Sequence, residues 1–260
     1  MPGDLDDLRA ALLRWYAGAR RDLPWRRTSD PYAILVSEVM LQQTQVARVV
    51  PRYLEWLEHW PDAGALAAAS RAEVLAAWVG LGYNRRAVAL HAAAAVVARN
   101  GWPADLRTLP GVGPYTAAAV GSFAFGAHVA AVDTNARRVA ERLGRGTPGE
   151  LLPPGRAAEW NQATMELGAT VCTARTPRCA ECPVAPWCAS SGRPPSRPAQ
   201  RARAERFEDS NRWVRGRVVA ALAAGEGLPG DIAPERLEQA LTGLQRDGIV
   251  RRLGRRYSLG

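Results

Sequence analysis

The chain has 260 residues, 34 Lys and Arg against 25 Asp and Glu, and a formal net charge of +9. That length holds one or two domains with a sizeable core, and the basic balance favours a polyanionic partner, nucleic acid before membrane. The apolar run around Leu90–Val97 falls well short of the roughly 20 residues a membrane span needs.

Helical periodicity dominates the first 190 residues. Apolar positions recur at helical spacing over 5–19, and Pro31 opens a second helix expected to run through Gln45. Val46–Trp60 continues or restarts it. Leu66–Val79, Arg85–Arg99, Ala104–Leu109, Tyr115–Phe125, Thr134–Leu143 and Ala157–Gly168 read as further helices, punctuated by Gly80, Gly82, Gly101, Pro103 and Pro110. Residues 191–211 are rich in Pro, Ser and Arg and read as a linker. Beyond it, Arg212–Ala224 and Pro234–Arg246 read as amphipathic helices and Ile249–Leu259 as a hairpin turning at Gly254. Residues 212–260 thus form either a small winged-helix-like module or a helical tail packed on the core.

The four cysteines, Cys172, Cys179, Cys182 and Cys188, are spaced C-x6-C-x2-C-x5-C. Four thiols this close cannot staple a whole chain of this size and read as ligands of one centre. A structural zinc site usually presents two tight C-x2–4-C pairs, and only Cys179 and Cys182 make one. Two local disulfides are disfavoured by the absence of a signal-peptide pattern, since Asp4, Asp6 and Asp7 stand where a basic segment would be. The spacing therefore favours a [4Fe–4S] cluster over zinc or disulfides, in a cytoplasmic protein.

Residues 109–116 read Leu-Pro-Gly-Val-Gly-Pro-Tyr-Thr between two helices. Gly111 and Gly113 allow a tight turn that leaves backbone N–H groups bare at the start of the next helix, a site for a DNA phosphate. Val132-Asp133-Thr134-Asn135 opens a later helix, where an Asp on its own is most often an N-cap.

Hairpin, Asp and cysteine array together resemble the helix–hairpin–helix DNA glycosylase superfamily over about residues 5–190. Within it the chain is similar to the adenine glycosylase (MutY) family, short actinobacterial type. The resemblance is carried by 22–26 (DLPWR), 37–46 (SEVMLQQTQV), 80–83 (GLGY), 111–116 (GVGPYT), 132–135 (VDTN) and 166–169 (ELGA). It implies an all-α, two-lobed core over 1–190 with the cluster loop at 172–188. The reaction it implies is hydrolysis of the N-glycosidic bond of adenine opposite 8-oxoguanine or guanine in double-stranded DNA, by a monomeric enzyme associated with the nucleoid.

Such chemistry divides between two carboxylates. Glu38 has Ile34, Leu35 and Leu41 one turn away, and burial among them favours the neutral acid that protonates the purine. Asp133, at a helix start, favours the anion that stabilises an oxocarbenium-like sugar. The resemblance adds Tyr115 and Asn135 as supports. It places Arg21, Leu23, Trp25, Arg26, Leu41, Val46 and Gln162 around the adenine, Gln43 and Tyr83 as wedges in the base stack, and Thr44 near the opposite guanine. Arg175 and Arg178, within the cysteine loop, are placed for phosphates. Lyase-type relatives carry a nucleophilic lysine where this chain has Tyr115, and the chain contains no lysine at all. The expected product is therefore an abasic site in an intact strand. Family members usually carry a further C-terminal domain resembling a nucleotide pyrophosphohydrolase, for which residues 189–260 are too few. Thymine or uracil mismatch glycosylases, and a non-catalytic iron–sulfur DNA-binding module, are the alternatives.

Overall fold

In a computed structural model of the chain, the structure describes residues 2–193, 206–254 and 256–260. Two compact units emerge, Met1–Leu35 with Val112–Ala199 and Val36–Gly111 with Gln200–Gly260. The linker expected over 191–211 falls largely on 194–205, outside the described residues.

The first unit contains α1 (Pro2–Ala19) and the start of α2 (Pro31–Leu41). Leu8, Leu12 and Tyr16 recur at helical spacing on α1 and are buried. After the hairpin the same unit contains α7 (Pro114–Phe125), α8 (Thr134–Leu143) and α9 (Ala157–Thr170). Helix α9 packs against α1, α7 and α8, and Trp160, Ala163 and Leu167 fill the centre with Val139 and Leu143. One polar group is needed in this core. Asn161, 2 % exposed, accepts from the Ala131 N–H at 3.1 Å and donates to Ser122 Oγ at 3.0 Å and the Val129 carbonyl at 2.8 Å. It satisfies the backbone of the α7–α8 connection, whose unpaired groups would each cost about 1–3 kcal/mol if buried.

The second unit contains α3 (Val46–His59), α4 (Ala63–Ala68), α5 (Arg71–Ala77) and α6 (Arg85–Asn100). Trp56 meets Trp60 and Trp78 edge-on at 4.6 and 5.4 Å between ring centroids. The C-terminal segment belongs to this unit. It contains α10 (Asn211–Ala223), α11 (Pro234–Arg246) and an antiparallel hairpin of β1 (Val250–Leu253) and β2 (Arg256–Leu259) turning at Gly254, φ 63°. Helix α10 and strand β2 pack on α5, and Arg71 donates to the Gly248 carbonyl at 3.3 Å.

Three expected helices are corrected. The helix from Pro31 stops at Leu41 instead of reaching Gln45. The single helix over Leu66–Val79 is two, because Ser70 and Glu73 form a capping box that starts α5 afresh. Over Ala104–Leu109 only a 3-10 turn, Leu106–Thr108, forms; Asp105 caps it by accepting from the Arg107 N–H at 3.0 Å.

Candidate active site and cysteine loop

Helix α8 begins at a carboxylate. Asp133 is its N-cap, Oδ1 accepting from the Ala136 N–H at 2.6 Å and Oδ2 from Asn135 Nδ2 at 2.9 Å. The Asn135 amide is in turn oriented by Arg138, which donates to its Oδ1 at 2.7 Å, to the Gly168 carbonyl at 2.7 Å and to the Cys172 carbonyl at 2.9 Å. Gly168 permits this approach: a Cβ there would lie 2.6 Å from Asn135 Cβ and 3.0 Å from its Cα. A short polar network thus joins the α8 carboxylate to the first cysteine.

Glu38 lies in α2 and is 6 % exposed. That helix opens at Asp30, whose carboxylate accepts from the Tyr32 and Ala33 N–H groups at 3.2 and 3.0 Å. It ends on Arg86. The Nη1 of Arg86 donates to the carbonyls of Val39, Met40 and Gln42 at 2.7, 3.1 and 2.6 Å. Its Nη2 donates to those of Leu81 and Gly82 at 2.9 and 3.0 Å and to Thr44 Oγ1 at 3.2 Å. Burial lowers the Arg86 pKa to about 10. The two loops it ties hold Gln43 at φ 55° and Tyr83 at φ 49°, the non-glycine residues with positive φ among those described. Left-handed backbone costs an L-residue about 1–2 kcal/mol, and Arg86 offsets that cost at both places.

Of the residues expected around the adenine, Arg21 and Arg26 converge on Glu166. The Glu166 side chain is fully buried in α9, and Arg21 Nε and Nη2 donate to it at 2.7 and 3.0 Å and Arg26 Nη2 at 2.7 Å. Burial alone would push this carboxyl up; the hydrogen bonds and charges of Arg21 and Arg26 outweigh it and hold the group below the ordinary carboxylate range. Gln162 accepts from the Tyr16 hydroxyl at 2.6 Å. Leu23 and Trp25 are buried in the first unit, while Leu41 and Val46 are half-buried in the second. Tyr115 is half-buried in the first turn of α7, after Pro114 and the Gly113 N-cap. Gly111 needs its φ of 75°, and a Cβ on it would meet Ala89 Cβ at 2.6 Å.

The cysteines follow α9. Cys179 and Cys182 bracket a 3-10 turn and Cys188 ends another. All four are half-buried free thiols lining one cavity of about 550 Å³. Among the described residues no three His, Cys, Asp or Glu side chains lie close enough to hold a single metal ion. Four thiols lining one cavity are a donor set that suits the cage of a multi-iron cluster. Arg142 donates to Cys172 Sγ at 3.3 Å and to the Thr173 and Ala174 carbonyls at 2.7 and 3.0 Å. Burial pushes the Cys182 thiol up to about 11, so metal loading must displace its proton. Arg178 donates to the Thr170 carbonyl at 2.7 Å and pairs with Glu181 at 2.9 Å, which folds the loop, whereas Arg175 is exposed.

Residues 36–150 match the HhH-GPD superfamily of base excision DNA repair proteins, and 172–188 match the iron–sulfur binding domain of endonuclease III. Adenine DNA glycosylase of Mycobacterium tuberculosis (strain ATCC 25618 / H37Rv) is 48% identical over 239 residues, covering 83% of this chain and 78% of that protein. The one from Mycolicibacterium smegmatis is 48% identical over 233 residues, covering 81% and 78%. The chain belongs to the adenine DNA glycosylase family. Among solved structures a thermostable thymine-DNA glycosylase superposes with a TM-score of 0.67 at 29% identity, covering 72% of this chain and 96% of that one.

As a glycosylase of this family the protein carries a [4Fe–4S] cluster, and Cys172, Cys179, Cys182 and Cys188 are the residues that would hold it. When bound, such a cluster supplies electron-transfer capacity and ties four chain positions together. Two arginines that organise the Gln43 and Tyr83 loops and the α8 carboxylate escaped the sequence reading. Arg86 had a signal: Arg85 and Arg86 open α6, where cations oppose the helix dipole, and a local rule broken at a helix start points to a distant partner. Arg138 had none, since an Arg inside an amphipathic helix usually meets solvent.

Proposed function

We propose that the protein removes adenine mispaired with 8-oxoguanine or guanine from double-stranded DNA, by hydrolysis, leaving an abasic site in an intact strand. The observation that carries this reading is the Asp133 carboxylate, fixed by a backbone N–H and by Asn135 at the start of α8. An anion held this way stabilises positive charge growing on a deoxyribose. Glu38, buried on α2, is the general acid that protonates a purine ring nitrogen. Tyr115 and Asn135 complete the catalytic set, with water as final nucleophile.

The target base leaves the stack. Arg21, Leu23, Trp25, Arg26, Leu41, Val46 and Gln162 border the adenine in this reading. Arg21 and Arg26 do so from their seats on Glu166. Gln43 and Tyr83 wedge into the duplex, Thr44 faces the opposite strand, and Gly111, Gly113, Arg175 and Arg178 meet phosphates. Residues 1–190 carry the chemistry, and 212–260, joined through 191–211, act as a small winged-helix-like module in a monomeric, cytoplasmic, nucleoid-associated enzyme. No helix among the described residues is long and apolar enough to cross a membrane.

Incubation with duplexes carrying A:8-oxoG, A:G, T:G and U:G, followed by alkali, tests the proposal. Scission at adenine alone supports it. Scission at thymine or uracil would favour a thymine or uracil mismatch glycosylase, and binding without scission would favour a non-catalytic module.

A further inference from the structure

The second unit contains a groove of about 510 Å³ that joins the Gln43 and Tyr83 loops to the C-terminal segment. Its walls alternate rings and guanidinium groups. Arg212 Cζ lies 5.1 Å from the Tyr83 ring centre and 4.9 Å from that of Phe207, and Arg217 Cζ lies 5.1 Å from the Trp213 ring. Arg212 Nη1 also donates to the Tyr83 hydroxyl. Arg48 adds a third positive charge, and no Asp or Glu lines the groove among the described residues. Phe207 is 50 % and Tyr83 38 % exposed, an unusual cost for two rings flanking one groove unless a flat partner covers them.

Three rings and three arginines, with Arg217 held by Asp231 at 2.9 Å and no carboxylate in the groove lining, match one chemistry, a nucleic-acid strand with an unstacked base. We propose that the C-terminal segment completes, with the Gln43 and Tyr83 loops, a binding groove for an unpaired nucleotide of a DNA strand. Phe207 and Tyr83 give the base its stacking faces, and Arg212 turns from Tyr83 to a flanking phosphate. Without DNA, Arg212 and Arg86, at 5.1 and 5.6 Å from the ring, hold Tyr83 in place. The inference rests on the glycosylase reading for its ligand but adds residues of α10 and the turn before it to the DNA-contacting surface.

The test uses the full chain and a fluorescent duplex with a non-hydrolysable abasic analogue opposite guanine, the dissociation constant being measured from about 50 to 200 mM salt. Arg212→Ala should make the slope of log K against log salt shallower by about 0.9, one phosphate contact. Phe207→Ala should weaken binding at least about fivefold with the slope unchanged, as loss of a neutral stacking face does. Both side chains are exposed, and thermal melting confirms that the variants fold. Wild-type affinity and slope in both variants would overturn the groove. A wild type that binds the abasic duplex no better than an undamaged one would instead defeat the glycosylase reading.

Discussion

Arg138 donates to Asn135 Oδ1 at 2.7 Å, and this bond decides which way the Asn135 amide faces. A guanidinium is a donor only, so the amide oxygen must turn to it and the amide nitrogen to Asp133. The Asp133 carboxylate is thereby held in one rotamer before any substrate arrives. Preorganisation of this kind lets a charge act on a transition state without first reorienting.

Asp133→Asn should separate folding from chemistry. Asn caps a helix about as well as Asp, so the melting temperature should stay within a few degrees of wild type. The negative charge is lost, and single-turnover adenine excision should fall at least about a hundredfold, the scale seen when one electrostatic stabiliser is removed. Retention of near wild-type turnover would remove Asp133 from the chemistry.

Arg138→Leu should act on the same rate at one remove. It leaves Asn135 free to flip and the Gly168 and Cys172 carbonyls without their donor. The expected result is a fall in the excision rate of about tenfold or more with smaller change in DNA affinity, and a stability loss of about 1–3 kcal/mol. Gly168→Ala attacks the network from α9, because the new methyl would meet Asn135 at 2.6 Å; overpacking of this kind costs about 1–3 kcal/mol. Equal loss of rate and affinity in Arg138→Leu would mark a merely structural role.

The fold was legible where periodicity and punctuation agree. Leu8, Leu12 and Tyr16 announced α1, and Asp133 announced the start of α8. The breaks were less legible. Ser70 with Glu73 spells a capping box, yet the apolar run on either side of it reads as one helix. The stop at Leu41 has no local cause in the sequence: it is set by Arg86, 45 positions from Leu41. The site divides likewise. Residues that speak through a motif, such as the four cysteines, could be read directly. The pairing of Arg21 and Arg26 with Glu166 could not, since Glu166 lies 145 and 140 positions away.

Glu166 makes a pH prediction. Its folded-state pKa is depressed, so its stabilising contribution is complete above the unfolded value of about 4.3 and is lost as pH falls through the lower folded value. Glu166→Gln leaves two arginines short of a charged acceptor. Breaking a buried ion pair costs about 3–5 kcal/mol; with Arg21 42% exposed, solvent screening places the loss at the lower end. The stability gap between wild type and variant, measured by urea unfolding, should be constant from pH 6 to 8 and shrink below about pH 4. A gap independent of pH would show that Glu166 is not the ionised partner.

Cys179→Ser should remove the brown colour of the protein and lower its melting temperature, because the cluster ties α9 to the two turns that follow. Wild-type protein should contain about four iron atoms per chain. Zinc at one equivalent in a colourless wild type would contradict the cluster.

Arg86→Lys tests whether shape or charge organises the two loops. Six acceptors surround the guanidinium, and an ammonium has three donors and no planar fork. Lysine would leave several carbonyls at the end of α2 unpaired while keeping the charge. Each buried group left unsatisfied costs about 1–3 kcal/mol, so the variant should lose at least about 2 kcal/mol of stability. Gln43 and Tyr83 would then lose the Arg86 hydrogen bonds that offset their positive φ. Amide hydrogen exchange over residues 41–45 and 80–84 should speed up more than over α9, and affinity for an abasic duplex should fall. If lysine left exchange in both loops unchanged, the positive charge alone would suffice, and the hydrogen bonds to Leu81 and Gly82 would not be what holds Tyr83 in place.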